Sequence, residues 1–323
     1  MQVLHGYDSL AKPFPAPVVT IGNFDGVHLG HRAILDKVVS EARARHGAAL
    51  VLSFDPHPSR ILVPEHSPRL LTTTEQKLAL LEAAGVDAIL FAPFTLEFSR
   101  LSPQEFVEQI LHQRLRAAVV CIGANFRFGH RQAGDAPLLV ELGKSFGFGV
   151  QVVEPVVVRG EVASSSTIRR LVSEGDIRTA TRLLGRPFSL TGGVQRGKGR
   201  GRRLGFPTLN FAPEQECLPP NGVYVTETVI EGQAHPSATN VGVRPTFDGS
   251  RLLVESHLLD FSDSVQPARL EVRFHDRLRD ERKFPSGDAL KAQIAEDVAR
   301  ARQFFVQREK CDLRMEEKSS PAR

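Results

Sequence analysis

Tryptophan is missing from this 323-residue sequence, tyrosine and methionine occur twice each, and cysteine three times. Cys121, Cys217 and Cys311 are odd in number, far apart and form no CxxC pair. That excludes a disulfide framework and a zinc site of the usual spacing, and it is the cysteine usage of a reducing compartment. No stretch of about 18 apolar residues could cross a bilayer, and the first residues, MQVLHGYDSLAKPFP, lack an apolar core of signal-peptide length. The expectation is a soluble, cytoplasmic chain without a membrane partner. Excess charge is scarce too: 41 Lys+Arg against 37 Asp+Glu leave +4, weak ground for nucleic-acid binding unless the bases cluster.

Phenylalanine, at 20 residues, is the aromatic in supply, so stacking on a ligand falls mainly to it. The length exceeds a usual single domain, and 41% hydrophobic residues can bury real cores, so two domains are expected. In the first half, apolar runs at Val18–Ile21, Ala49–Ser53, Ala88–Phe91, Ala118–Ile122 and Val150–Val153 alternate with helical patterns. Alternating strand and helix is the mark of a parallel sheet covered by helices. Capping boxes are expected at Ser102 with Glu105, behind Pro103, and at Thr72 with Glu75. Asp176 can cap a last helix that ends at Gly185, before Arg186-Pro187 breaks the pattern. From Phe188 the texture is short strands, at Val223–Ile230, Ser237–Gly242, Leu252–Leu259 and Ala268–Phe274, closed by one helix from Gly287. The two halves are not copies of each other. The polar tail from Glu316 is expected to fray.

The strand Val18–Ile21 runs into Gly22-Asn23-Phe24-Asp25-Gly26-Val27-His28-Leu29-Gly30-His31 and then a helix. Such a loop gathers backbone N–H groups and the positive end of a helix, which suits an anion. His28 and His31, three apart, share a face at the helix start, and Gly30 allows close approach. Two imidazoles could stabilise charge that develops when a nucleophile attacks a nucleotide's α-phosphorus. Taken alone, the pair is equally a polar helix start, and zinc would need further ligands that are not nearby. Ser164, Ser165 and Ser166 can cap the next helix, and Arg169, one turn on, would reach the same anion. Asn125 follows a parallel strand at the edge where ligands bind in open α/β sheets, although Asn is also common in turns.

VTIGNFDGVHLGH resembles the signature of the HxGH nucleotidyltransferases, in the form found in bacterial bifunctional riboflavin kinase/FAD synthetases. SFDPHP (53–58), GANFRFG (123–129), SSSTIRRL (164–171), GFPTLNF (205–211) and VESHLLDF (254–261) fit that family in the same order. The resemblance implies a Rossmann-like adenylyltransferase domain at 1–186 and a kinase domain at 187–323, the latter a six-stranded antiparallel β-barrel with a terminal α-helix. It implies ATP binding in the transferase by Gly22, Asn23, Phe24, Asp25, Gly26, Gly30, Ser164, Ser165, Ser166 and Arg169, with the last four as the second triphosphate motif. Ser166 stands there at a threonine position and keeps the hydroxyl. Phe54, His57 and Asn125 would line the flavin side.

The basic stretch 196–203, RGKGRGRR, could be an RNA-binding segment or a solvated loop, but glycine with Lys and Arg before Gly205-Phe206-Pro207-Thr208-Leu209-Asn210 suits a lid over a nucleotide. Gly197, Lys198, Gly205 and Pro207 would then face kinase ATP. Thr208 and Asn210 alternate onto one face of an extended segment and offer hard neutral ligands for Mg2+. Glu255 is a carboxylate within the apolar run 252–259, and strand alternation could merely expose it. The resemblance makes Glu255 the kinase general base and puts Arg279, Glu281 and Phe284 beside the flavin. The substrates so implied are ATP, riboflavin and FMN, with Mg2+ in both halves, no nucleic acid, and self-association left open. Two rivals are a nucleotidyltransferase for another phosphorylated substrate and an RNA-binding protein using 196–203.

Overall fold

A computed structural model describes residues 1–10, 13–195, 200–246, 249–260 and 267–319. The chain forms two compact units, Met1–Thr167 and Ile168–Arg323. In the first, six strands pair entirely in parallel: β1 Gln2–His5, β2 Val18–Ile21, β3 Ala49–Asp55, β4 Ala88–Pro93, β5 Val119–Gly123 and β6 Gly149–Val153, in the order β1-β4-β3-β2-β5-β6. β1 was not expected, since a largely exposed four-residue edge strand carries no apolar run. The central strands are buried on both faces, β2 throughout and β3 over its first five residues, as their unbroken apolar runs require. A two-residue ladder follows, β7 Val157–Val158 with β8 Glu161–Val162.

The helices of this unit are α1 Leu29–Ala44, α2 Pro58–Leu62, α3 Thr74–Ala83, α4 Pro103–Phe106, which continues as a wider turn over Val107–Arg114, α5 Ala136–Phe146, and the start of α6 Ser165–Glu174. α1 turns Leu35, Val38 and Ala42, all 0% exposed, onto the sheet, and full burial of one such side chain contributes about 1.5–3 kcal/mol. At α4 the Ser102 hydroxyl accepts from the Glu105 N–H at 3.2 Å, while the Glu105 carboxylate accepts from the Ser102 N–H at 2.8 Å. Changing Ser102→Ala should therefore cost about 1 kcal/mol, seen as a melting midpoint roughly 2–4 °C lower in calorimetry.

The box expected at Thr72 lies one residue later. Thr73 caps α3 with Gln76 as its reciprocal partner, because Thr72 is drawn away: its hydroxyl donates to Asp25 at 3.0 Å. The pattern read from sequence was right in kind, but T-T-T-E-Q offers two registers, and a tertiary hydrogen bond selects one.

In the second unit α7 Ile177–Leu184 is capped by Asp176, which accepts from the Thr179 N–H at 3.0 Å, and ends at left-handed Gly185. Six strands then close into an antiparallel barrel: β9 Phe188–Gln195, β10 Leu209–Phe211, β11 Gly222–Ile230, β12 Gln233–Thr246, β13 Gly249–Leu258 and β14 Arg269–Asp280, ordered β10-β13-β12-β11-β14-β9 and sealed by β9 against β10. Between β9 and β10 lies the short helix α8 Arg200–Leu204. The terminal helix α9 spans Gly287–Ser319, so it continues past Glu316, where fraying was expected; residues 320–323 lie outside the described residues.

The barrel alternates with period two. Inward lie Tyr224, Val241, Val254, Val272 and Phe274, together with a buried hydroxyl network. Thr226 meets Ser237 at 2.8 Å and Thr239 at 2.6 Å, and Ser256 meets Thr228 at 2.6 Å and Thr239 at 3.0 Å. Outward, Val225 and Ala238 pack with Val298 and Ala301 of α9. On that outer surface, between barrel wall and α9, a cavity opens.

Candidate functional sites

In the first unit β2, β3 and β5 are adjacent, so the loops at their carboxyl ends, beginning at Gly22, Pro56 and Ala124, gather at one edge, the ligand-binding edge of an open parallel sheet. The β2–α1 loop holds left-handed backbone at Phe24 (φ 49°), Gly26 (φ 82°) and Val27 (φ 38°). Such conformations persist only where surroundings over-determine them. Here Asp25, 2% exposed, accepts from the N–H groups of Leu71 at 3.0 Å and Thr72 at 3.1 Å, and Ser165 donates to the Asp25 carbonyl at 2.9 Å. The Asp25 carboxylate is thus turned toward the Leu71–Thr72 segment as the anchor of the loop.

His28 is the amino-terminal cap of α1, and its Nδ1 accepts from the His31 N–H at 3.2 Å. A backbone N–H can only donate, so in the neutral ring the proton is on Nε2, leaving that nitrogen a donor. The His31 ring stacks on His28 at 3.7 Å between centroids and leans on Phe24 at 4.8 Å. Gly30 has a packing reason beyond ligand approach: a Cβ there would lie 2.8 Å from the Ala163 carbonyl oxygen and 3.1 Å from His28 Nδ1. Ser164 accepts from the Thr167 N–H at 3.1 Å and so starts α6, which carries Ser165, Ser166 and, one turn on, Arg169. The Ser164 hydroxyl therefore caps the helix as expected, and the Ser165 hydroxyl, in a contact the sequence did not suggest, ties the helix start to the Asp25 loop.

Phe54 meets Phe94 at 5.6 Å and Phe98 at 5.7 Å, and Phe98, Phe106, Phe128 and Phe126 continue the aromatic row. His57 caps α2 and lies 2.6 Å from the Ser59 hydroxyl, while Asn125 is exposed just beyond β5. Asn23 has a buried Oδ1 with no hydrogen-bond partner among the described residues. Sequence reasoning missed Lys77, a half-buried ammonium whose pKa is lowered by burial, against the opposing pull of Asp25 and Asp55; nothing in the helical pattern of α3 marks it out. The buried Cys121 thiol is pushed up to about 11 by burial, which disfavours its thiolate form.

In the second unit a cavity of about 450 Å3 gathers Thr208, Asn240, Glu255, His257, Arg279, Glu281, Phe284 and Asp297. Glu255 is paired in register with Asn210 on one side and Asn240 on the other, so the three side chains share the outer face of the barrel. Its neighbours Val254 and Ser256 point inward, and alternation places this carboxylate on the cavity wall. Asn210 is 6% exposed and its Oδ1 has no hydrogen-bond partner among the described residues. A buried oxygen of this kind, in register with a carboxylate and two residues after the Thr208 hydroxyl, is a set of hard oxygen donors of the type that suits a divalent cation. His257 Nδ1 lies 2.8 Å from the Pro207 carbonyl and pins the segment that carries Thr208. Gly205 has φ 89°. Gly197 and Lys198 lie outside the described residues. No group of three or more His, Cys, Asp or Glu that could hold a metal occurs among the described residues.

Comparison with known proteins also matches two separate parts of the chain. The family model described as FAD synthetase matches residues 12–167 and that described as riboflavin kinase matches residues 184–305. A bifunctional riboflavin kinase/FMN adenylyltransferase of Escherichia coli strain K12 is 36% identical over 307 residues, 94% of this chain and 98% of that protein. One of Pseudomonas fluorescens is 39% identical over 303 residues, 94% and 97%. A crystal structure described as a macrolide-efflux protein from Streptococcus pneumoniae superposes with a TM-score of 0.85 at 28% identity, covering 94% of this chain and 99% of that one. Among the described residues of this chain no helix is long and apolar enough to cross a membrane.

Proposed function

The chain belongs to the family of bifunctional riboflavin kinase/FMN adenylyltransferases, and from that premise we propose how its residues divide the work. It phosphorylates riboflavin with ATP to give FMN and ADP, then joins FMN to a second ATP to give FAD and pyrophosphate. We assign residues 1–186 to the transferase and 187–323 to the kinase, since Arg186-Pro187 separates the end of α7 from the first barrel strand.

The observation that carries the kinase reading is Glu255 in register between Asn210 and Asn240 on the wall of the cavity. Its carboxylate takes the proton of the terminal ribityl hydroxyl as that oxygen bonds to the γ-phosphorus and the bond to ADP breaks. Thr208 and Asn210 would hold Mg2+, which supplies neutralisation of phosphate charge when bound. Arg279, Glu281 and Phe284 frame the flavin end of the cavity, and Gly205 and Pro207 border the nucleotide. The basic run 196–203 is proposed to cover the nucleotide; its described part is the helical start of α8, with Gly201 on the cavity lining, and Gly197 and Lys198 lie outside the described residues.

The transferase needs no base, because the FMN phosphate is already an anion. Its oxygen bonds to the α-phosphorus and pyrophosphate leaves. The Nε2 donor of His28, fixed by the Nδ1 contact, and His31 beside it stabilise the charge that develops there. Gly22, Asn23, Phe24, Gly26 and Gly30 hold the nucleotide by backbone and close approach, Asp25 holds the loop, and Ser164, Ser165, Ser166 and Arg169 take the outer phosphates. Phe54, His57 and Asn125 bound the flavin. Mg2+ is proposed here as well, and the chain is proposed to act in the cytoplasm on these small molecules alone, without nucleic acid or membrane.

A time course of riboflavin, FMN and FAD, resolved by chromatography after mixing the purified chain with riboflavin and MgATP, tests the reading. FMN should rise first and FAD follow. Riboflavin left unchanged while supplied FMN is converted would remove the kinase role.

A further inference from the structure

Arg279 and Phe284 line the kinase cavity, but the guanidinium of Arg279 is already engaged. Its Nε donates to both oxygens of Asp297 at 3.0 Å, one terminal nitrogen reaches the same carboxylate at 2.7 Å, and the other donates to the Asp280 carbonyl at 2.9 Å. Asp297 is 3% exposed, on α9, and accepts a further bond at 3.0 Å from Gln293, one turn earlier and also buried. The charge that Arg279 could offer a phosphate is therefore matched by a buried partner. The Arg279 Cζ lies over the Phe284 ring, 5.7 Å from its centre, and the Arg282 Cζ lies 5.0 Å from the same centre. A guanidinium held flat by a two-pronged carboxylate is a rigid support for an aromatic ring.

We propose that Asp297 is a positioning residue for riboflavin: through Arg279 it sets the Phe284 ring as a fixed wall against which the flat isoalloxazine packs. The terminal helix thereby becomes part of flavin recognition, although none of its side chains has to touch the reacting atoms. This rests on the reading of the cavity as the riboflavin site. Asp297 is invisible to a sequence argument because D-V-A-R within α9 reads as an ordinary amphipathic helix.

The test is steady-state kinetics of the full chain combined with riboflavin fluorescence titration without ATP. Asp297→Asn should raise the riboflavin KM and the fluorescence Kd together by about tenfold, the size of one displaced contact, with kcat, the KM for MgATP and FAD formation from FMN all within about twofold of wild type. Because a stranded Arg279 could unfold the domain, the double change Arg279→Met with Asp297→Leu, which leaves no unpaired buried charge, should weaken riboflavin in the same way. A lower melting midpoint with an unchanged riboflavin KM in both variants would make Asp297 a merely structural residue. A fall in kcat at constant KM would also overturn the assignment. Phe284→Ala separates the two levels of the argument: if it leaves riboflavin binding intact, the reading of the cavity fails, whereas weakened binding there with no effect of Asp297→Asn removes only the role of Asp297.

Discussion

Glu255→Gln should lower FMN formation from riboflavin and MgATP by about 10^2–10^4-fold, the range of a general base, and leave FAD formation from supplied FMN at the wild-type rate. Glutamine keeps the shape and one hydrogen-bonding oxygen of the side chain, so the barrel face that it shares with Asn210 and Asn240 is preserved. What it loses is the ability to take a proton. The ribityl hydroxyl must shed one while it attacks, and among the residues facing the cavity Glu255 is the carboxylate set in the barrel wall beside the proposed Mg2+ ligands. Loss of both activities in the Glu255 variant, or of neither, would count against the assignment; rates are read by chromatographic separation of the three flavins.

His31→Ala should do the reverse and depress FAD formation by about 10^2–10^3-fold, as expected for removal of one preorganised donor at a developing charge, while FMN formation is unaffected. His31 is the better histidine to change. His28 also caps α1 through the backbone N–H of residue 31, so its loss mixes a helix-cap cost with any catalytic one, whereas the N–H of residue 31 survives the loss of its own side chain. An unimpaired FAD yield would take His31 out of the mechanism.

The sequence made the centre of the parallel sheet legible because strands β2 to β5 are buried on both faces and read as apolar runs, and it made the transferase loop legible because glycine and histidine spacing is local. The barrel was only partly legible. β9 and β10 carry no clear apolar run, and the buried face of Thr226, Thr228, Ser237, Thr239 and Ser256 looks polar in a list of residues; these hydroxyls can be buried because they satisfy one another across strands. Glu255 was visible as an oddity in an apolar run, yet only the closed barrel shows that alternation turns it outward to meet Asn210 and Asn240. The anchoring role of Asp25 and the pairing of Asp297 with Arg279 depend on partners 46 and 18 residues away. No local pattern encodes such contacts, and the shift of the α3 cap from Thr72 to Thr73 has the same origin.

The central claim is that one chain holds two chemically distinct nucleotide sites, each carried by its own half. Mixing the Glu255→Gln and His31→Ala variants in equal amounts with riboflavin and MgATP tests it most directly. Neither variant alone should turn riboflavin into FAD, the first stopping at riboflavin and the second at FMN, but the mixture should produce FAD as FMN made by one variant is adenylylated by the other. If the mixture yields no FAD while FMN accumulates in it and the Glu255 variant still converts supplied FMN when alone, the two activities do not operate as independent sites, and the account is contradicted.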